Sequence, residues 1–107
     1  MSDCIFCKIA AGEIPSKKAY EDERVFAFYD LEPQAPVHVL IIPKEHIASV
    51  AEITEENSSI AAHIFEVAAR LAKELGLEGG FRLVANTGAD GGQTVQHLHV
   101  HLLGGRS

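Results

Sequence analysis

Gln96-His97-Leu98-His99-Val100-His101-Leu102-Leu103 stands near the end of the 107-residue chain and decides how the rest is read. In an extended segment successive side chains point to opposite faces. His97, His99 and His101 therefore share one face, and Leu98, Val100 and Leu102 the other. The apolar set suits a core. The histidine set is left for a cleft, for solvent or for a metal. Three readings of it stay open at this level: a polar outer face that happens to be histidine, a metal site, and nucleophilic catalysis. Strict alternation without any other polar residue type tells against the first. Alternate Cα atoms lie roughly 7 Å apart, and no carboxylate is near in sequence, which weighs against one ion held by all three rings. Neutral imidazole is a good nucleophile near pH 7 and a workable acid or base.

Upstream, Asn86-Thr87-Gly88-Ala89-Asp90-Gly91-Gly92-Gln93-Thr94 reads as a turn-rich loop, or as a cradle whose glycines let backbone N–H groups approach a phosphate. Further out, Phe81 to Ala85 reads as a strand, and the final strand as running from about Val95 to Leu103. Thr54 is placed to cap a helix over 55–75. Glu55 and Glu56 lie in its first turn, Ile60, Ile64, Val67, Ala68, Leu71 and Leu75 at helical spacing, and Gly76 at its stop. His63 falls off that stripe and reads as a surface residue. Val37 to Ile42, bounded by Pro36 and Pro43, and Val25 to Tyr29 are strand-like, and Leu31 to Pro36 is a loop. Asp3 to Ala11 is a short helix with Asp3 as N-cap and Gly12 beyond its end. Strands on both sides of one long helix predict an α+β domain on an antiparallel sheet, with 1–107 as a single domain.

Composition narrows the function. Nine Lys and Arg against fifteen Asp and Glu give a net charge of −6, which disfavours a polynucleotide partner but not one small phosphorylated ligand. At 47% apolar and 22% charged residues the chain is globular, not disordered. The most apolar segment, Val37 to Ile42, is interrupted by His38 and far below a membrane span. The opening residues carry early charge and no apolar stretch of the secretory kind, so a cytoplasmic protein is expected. The two cysteines, Cys4 and Cys7, are too few and too close for a disulfide scaffold. They read as ordinary thiols, a redox dithiol, or half of a zinc site.

His97-Leu98-His99-Val100-His101-Leu102-Leu103 resembles the His-φ-His-φ-His-φ-φ signature of the histidine triad (HIT) family. Ile14-Pro15-Ser16, Asp30 to Pro36, His38, Ile42-Pro43-Lys44, Gly91-Gly92-Gln93 and Leu103-Gly104-Gly105-Arg106 resemble its nucleotide-binding Hint branch. The resemblance implies a HIT-like fold: an antiparallel sheet of about five strands with one long and one short helix, the sheet extended across a homodimer. It implies hydrolysis of purine nucleoside phosphoramidates or adenylates through a covalent nucleotidyl-histidine, with no organic cofactor. A dinucleoside polyphosphate hydrolase and a nucleotide- or zinc-binding regulatory module are the rivals. By the same resemblance His99 is the nucleophile and His101 steadies the phosphoryl oxygens. His38 is a further active-site histidine, and His97 completes the triad. Asn86, Gly92, Gln93 and Thr94 contact phosphate, Asp30 the ribose hydroxyls. Ile5, Phe6, Ile9, Phe28, Tyr29, Leu31 and Leu40 match the base and ribose pocket, although plain core is an equal reading for Ile9 and Leu40. Similar bacterial members imply a structural zinc on Cys4, Cys7, His46 and His97, in which case His97 cannot also give a proton to the leaving group. The likeness stops at Ser107, short of the branch's usual tail, and Gln96 stands where an aromatic residue is common, so leaving-group preference is left open.

Overall fold

The computed structural model describes residues 4–106. Along the chain run α1 (Ile5–Ala10), β1 (Lys18–Glu21), β2 (Val25–Tyr29), β3 (Val37–Pro43), a single 3-10 turn (Val50–Glu52), α2 (Ser59–Glu74), β4 (Phe81–Val84) and β5 (Val100–Gly104). The five strands form one antiparallel sheet in the order β1-β2-β3-β5-β4. No described helix is long and apolar enough to cross a membrane.

Alternation along the strands divides the core in two. Val25, Ala27, Val39, Ile41, Val100 and Leu102 face α2, whose Ile60, Ile64, Val67, Ala68 and Leu71 are buried against them. Each such aliphatic side chain contributes roughly 1.5–3 kcal/mol on burial. On the opposite face Phe26, Phe28, Leu40 and Ile42 meet Phe6 and Ile9 of α1. That helix is short and covers only the β2–β3 side. The β5–β4 side of the same face is left open, and the site lies where cover ends.

Several boundaries differ from the sequence reading, each for a local reason. Residues 55–58 form turns and α2 starts at Ser59, because Asn57 Oδ1 accepts from the Thr54 N–H at 2.7 Å and its Nδ2 donates to Glu52 O at 3.1 Å. Thr54 therefore caps nothing. The stop at Gly76 is as expected: φ is +75°, and bonds from Gly76 N–H to Lys73 O and from Leu77 N–H to Ala72 O close the helix with a Schellman turn. The proposed Asp3 cap lies outside the described residues. Cys4 caps α1 instead, its Sγ accepting from the Cys7 N–H at 3.4 Å. The edge strand β1 has no clear apolar alternation and was not foreseen.

The last strand begins at Val100, not Val95. Pairing reaches only Ile41 opposite Val100, although β3 runs on to Pro43. Residues 95–97 bend away, and the Leu98 N–H bonds to Ile47 O at 2.6 Å. Leu98 still enters the core with Val100 and Leu102, so the alternation sorted the side chains correctly beyond the ladder itself.

Candidate active site and metal centre

The triad histidines are divided by what their main chain and neighbours demand. His97 is fully buried and donates its Nε2–H to Pro43 O at 2.8 Å. Its Nδ1 lone pair is thereby turned toward Cys4 Sγ at 3.3 Å and Cys7 Sγ at 3.5 Å. Burial keeps this ring neutral, holding its pKa below the usual histidine value against the Pro43 bond. His46 Nδ1 lies 3.2 Å from Cys7 Sγ, and its ring stands edge-on to that of His97 at 4.9 Å.

Cys4, Cys7, His46 and His97 thus bring four ligand atoms within 4.8 Å of one another. A tetrahedral zinc with ordinary bonds to sulfur and nitrogen needs neighbouring ligand atoms about 3.3–3.8 Å apart. The measured gaps bracket the lower end of that range, and the donors are the thiols and imidazoles zinc prefers. The Pro43 carbonyl is the kind of outer partner that fixes a ligating histidine's tautomer. Burial, then the neighbouring Cys4, raises the Cys7 thiol pKa. The residues fit zinc.

His99 is oriented the other way. Its Nδ1–H donates to His97 O at 2.7 Å, and its Nε2 has no partner among the described residues. Phe6 stands edge-on to the ring at 5.1 Å, and the His101 ring is also 5.1 Å away. His101 sits on β5 opposite Leu40, and beside it on β3 is buried His38. The Gln34 N–H donates to His38 Nδ1 at 3.0 Å, so His38 carries its proton on Nε2. That proton lies between His101 Nδ1 at 2.9 Å and Asp30 Oδ2 at 3.4 Å. His101 accepts at Nδ1 and therefore offers its Nε2–H as a donor. Burial, then the charges of His99 and His38, depress its pKa to about 4, so this donor is a neutral imidazole near pH 7. One unprotonated nitrogen on His99 next to one N–H donor on His101 is an arrangement suited to attack on, and support of, a phosphoryl group.

The nucleotide residues are redistributed. Phe6, Ile9, Phe28 and Leu40 form one cluster beside His99, core and apolar slot together. Ile5 is exposed at its rim, and Leu31, 93% exposed, forms no wall. Tyr29 is misplaced by the sequence reading: it packs against the α2 face, opposite Phe28, as period two requires. Asp30 accepts from the Glu32 N–H at 2.9 Å and stays half-exposed at the mouth.

Gln93 is also corrected. It is buried, its Oε1 accepts from the Gly88 N–H at 2.9 Å, and its Nε2 donates to Ala48 O at 2.8 Å and Val95 O at 2.9 Å. With its amide engaged it braces the loop and offers nothing to phosphate. The Gly92 N–H is engaged as well, with Ala89 O at 3.1 Å. Asn86 ties the same loop by donating to Gly91 O at 2.7 Å. Gly91 is required there, since a Cβ would come within 2.3 Å of Thr87 O. Thr94 is exposed and makes no hydrogen bond among the described residues, so its hydroxyl is available.

Two further placements were not foreseen. His63 is no idle surface residue: its Nε2 lies 2.6 Å from Asp22 Oδ2 and ties α2 to the β1–β2 turn. Burial opposes ionisation of Asp22, but the Arg24 and Val25 amides, His63 and Tyr20 outweigh it and hold the carboxyl far below its usual range. On the open side of the sheet, a cleft of about 340 Å³ adjoins His101 and His38 and is lined by Arg82, Arg106, Asn86 and Gln34 among others. Period two on β4 puts Arg82 and Val84 on the His101 face, a signal present in the sequence but carried by too short a strand to be noticed.

Comparison with known proteins places the chain in a family. The HIT domain family matches residues 11–107. A 14 kDa zinc-binding protein of Zea mays is 50% identical over 107 residues, covering 98% of this chain and 84% of that protein. The structure of a HIT family hydrolase from Legionella pneumophila superposes with a TM-score of 0.96 at 51% identity, covering 98% of this chain and 95% of that one. A histidine triad nucleotide-binding protein from Candida albicans superposes at a TM-score of 0.84 with 39% identity, over 94% of this chain and 73% of that one. With a family match over residues 11–107 and relatives about half identical over nearly its whole length, the chain belongs to the HIT (histidine triad) family.

Proposed function

We propose that this protein is a nucleotide hydrolase acting on purine nucleoside phosphoramidates or adenylates through a covalent nucleotidyl-histidine. One observation carries the reading. The His97 carbonyl holds the Nδ1 proton of His99, leaving Nε2 as a free lone pair beside the N–H of a neutral His101. The likeness to a named HIT hydrolase and to a named nucleotide-binding protein supports it.

His99 Nε2 forms a bond to the α-phosphorus as the bond to the leaving nitrogen breaks, and that nitrogen takes a proton from solvent. Water then cleaves the nucleotidyl-histidine, releasing the nucleoside monophosphate and a proton and restoring neutral His99. Dividing the reaction replaces one hard displacement by two easier ones. The His101 Nε2–H meets charge developing on the phosphoryl oxygens, with Thr94 and Asn86 alongside. The base enters the slot of Phe6, Ile9, Phe28 and Leu40 under the rim of Ile5, and Asp30 takes the ribose hydroxyls. Cys4, Cys7, His46 and His97 hold zinc in a structural role, because four protein ligands leave no position for substrate.

The protein acts as one domain in the cytoplasm. It pairs as a homodimer through the unpaired edge of β4 and the outer face of α2, where Phe81 is 43% and Phe65 59% exposed. Turnover of adenosine 5′-phosphoramidate, with a nucleotidyl adduct on His99 trapped by an alkaline denaturing quench, is the expected result. Full activity in a His99→Ala protein would refute the reading.

A further inference from the structure

Cys4 and Cys7 have served so far only as metal ligands. Both are half-exposed and His46 beside them is exposed, whereas His97 behind them is fully buried. Buried structural cysteines are inert, and reactive ones sit part-exposed within reach of a reagent. The two sulfurs lie within 4.8 Å of each other, and the Cys7 N–H donates to Cys4 Sγ at 3.4 Å, so the first turn of α1 holds the thiols side by side. The pair also touches the nucleophile by two routes. Phe6, between the cysteines in sequence, stands edge-on to the rings of Phe28 at 5.5 Å and His99 at 5.1 Å. His97, whose Nδ1 reaches both sulfurs, supplies the carbonyl that holds the His99 Nδ1 proton.

We infer that Cys4 and Cys7 form a reversible disulfide under hydroperoxides, and that this modification releases the metal and weakens nucleotide binding and hydrolysis. The inference rests on the zinc and hydrolase readings above and adds a modification that controls the same site. A zinc-bound cysteine is a thiolate, the form that oxidants attack. One sulfur bonds to a peroxide oxygen as the O–O bond breaks, giving a sulfenic acid and an alcohol, or water when the oxidant is hydrogen peroxide. The second sulfur displaces the sulfenic oxygen, which leaves as water. Two electrons pass from the sulfurs to the peroxide, and solvent supplies the two protons. A disulfide has no thiolate charge to offer a metal, so only His46 and His97 remain as ligands. The His97 Nδ1 is then a buried acceptor without a donor, which the fold penalises. Closing the bond also draws the sulfurs to about 2.05 Å, which moves the first turn of α1. Movement of that turn displaces Phe6, and movement of His97 displaces its carbonyl; each contact orients His99.

The test treats zinc-loaded wild type with hydrogen peroxide and then with dithiothreitol. Thiols titrated in denaturant, intact mass, zinc released to a chromogenic chelator and affinity for adenosine monophosphate are followed beside phosphoramidate turnover. We expect both thiols and the metal to be lost together and the mass of the chain to fall by two hydrogens. Nucleotide affinity and kcat/KM should drop on the order of 10- to 100-fold, and dithiothreitol with added zinc should restore all of these. In the Cys4→Ser/Cys7→Ser protein, whatever its basal affinity, peroxide should change nothing; an equal loss there would overturn the assignment. So would thiols that survive peroxide sufficient to oxidise glutathione, or a gain of oxygen that dithiothreitol does not reverse. A disulfide that leaves affinity and turnover unchanged would overturn the control of the site. Untreated protein without turnover, or without zinc, would overturn the corresponding reading above, and thiol content, mass and affinity would still decide the switch.

Discussion

Replacing Gln93 by alanine separates two roles that the sequence alone does not distinguish. If its amide contacts phosphate, the variant loses affinity and keeps its stability. If its amide braces the loop, stability falls first. The side chain makes three hydrogen bonds, to Gly88 N–H, Ala48 O and Val95 O, at 2.8–2.9 Å. Each is worth about 0.5–1.5 kcal/mol net. Gly88 is exposed and its amide can turn to water, but Ala48 and Val95 are half-buried and their carbonyls are less easily resolvated. A loss of about 2–3 kcal/mol follows. In a domain of this length that lowers the melting temperature by roughly 10–20 °C. Denaturant unfolding and nucleoside monophosphate affinity are measured on the same preparation. Gln93→Glu adds a second reading. It keeps the bond from Gly88 but sets a carboxylate against two carbonyls, so its folded-state pKa is raised. Its deficit should be greatest at neutral pH and shrink as pH falls through that raised value and a donor returns. An alanine variant within about 0.5 kcal/mol of wild type that loses nucleotide affinity would refute the brace.

Three other outcomes are expected. Zinc content near one per chain should be lost in Cys4→Ser, and a chelator should lower the melting temperature of wild type but not of the variant; stabilisation of about 4 kcal/mol corresponds to free zinc a thousandfold above its dissociation constant. Equal melting with and without chelator would remove the metal centre. The pKa of His101 is depressed to about 4, so between the ordinary histidine value and that point the unfolded chain binds the extra proton. Stability is therefore complete above about pH 6.5 and declines as pH falls toward 4, by on the order of 2 kcal/mol; denaturant unfolding across that range should flatten in His101→Gln, and an unchanged slope would refute the shift. Asp22 works in the same sense over a more acidic range, its contribution complete above the unfolded value near 4 and lost progressively as pH falls below it. Asp22→Asn should lose about 1–2 kcal/mol at pH 7 and a smaller amount at pH 2, and equal losses at both would refute the ion-pair role.

The sequence carried most of the fold because its signals were local. Period two in residues 25–29 and 37–42, the stripe from Ile60 to Leu71 and the αL glycine at position 76 each depend on the geometry of one segment. The same periodicity already held the correction for Tyr29, since residues 28 and 29 of one strand cannot share a face. The errors arise where one segment answers to another. Asn57 displaces the helix start through bonds to Glu52 and Thr54. The bond from the Leu98 N–H to Ile47 O takes the last strand off its ladder although β3 runs on to Pro43.

By itself the sequence determined which side chains exist to do chemistry and how they sort between two faces, because alternation is a property of any extended backbone. It could not determine which nitrogen of each histidine is free. That was decided only in three dimensions, by the carbonyls of Pro43 and His97 and the amide of Gln34, which reach the rings from other segments or around a bend. An imidazole has two equivalent-looking nitrogens until a neighbour takes one. The tertiary structure therefore gave three similar histidines three different exposures of nitrogen: a lone pair aimed at two thiols, a free lone pair and an N–H donor.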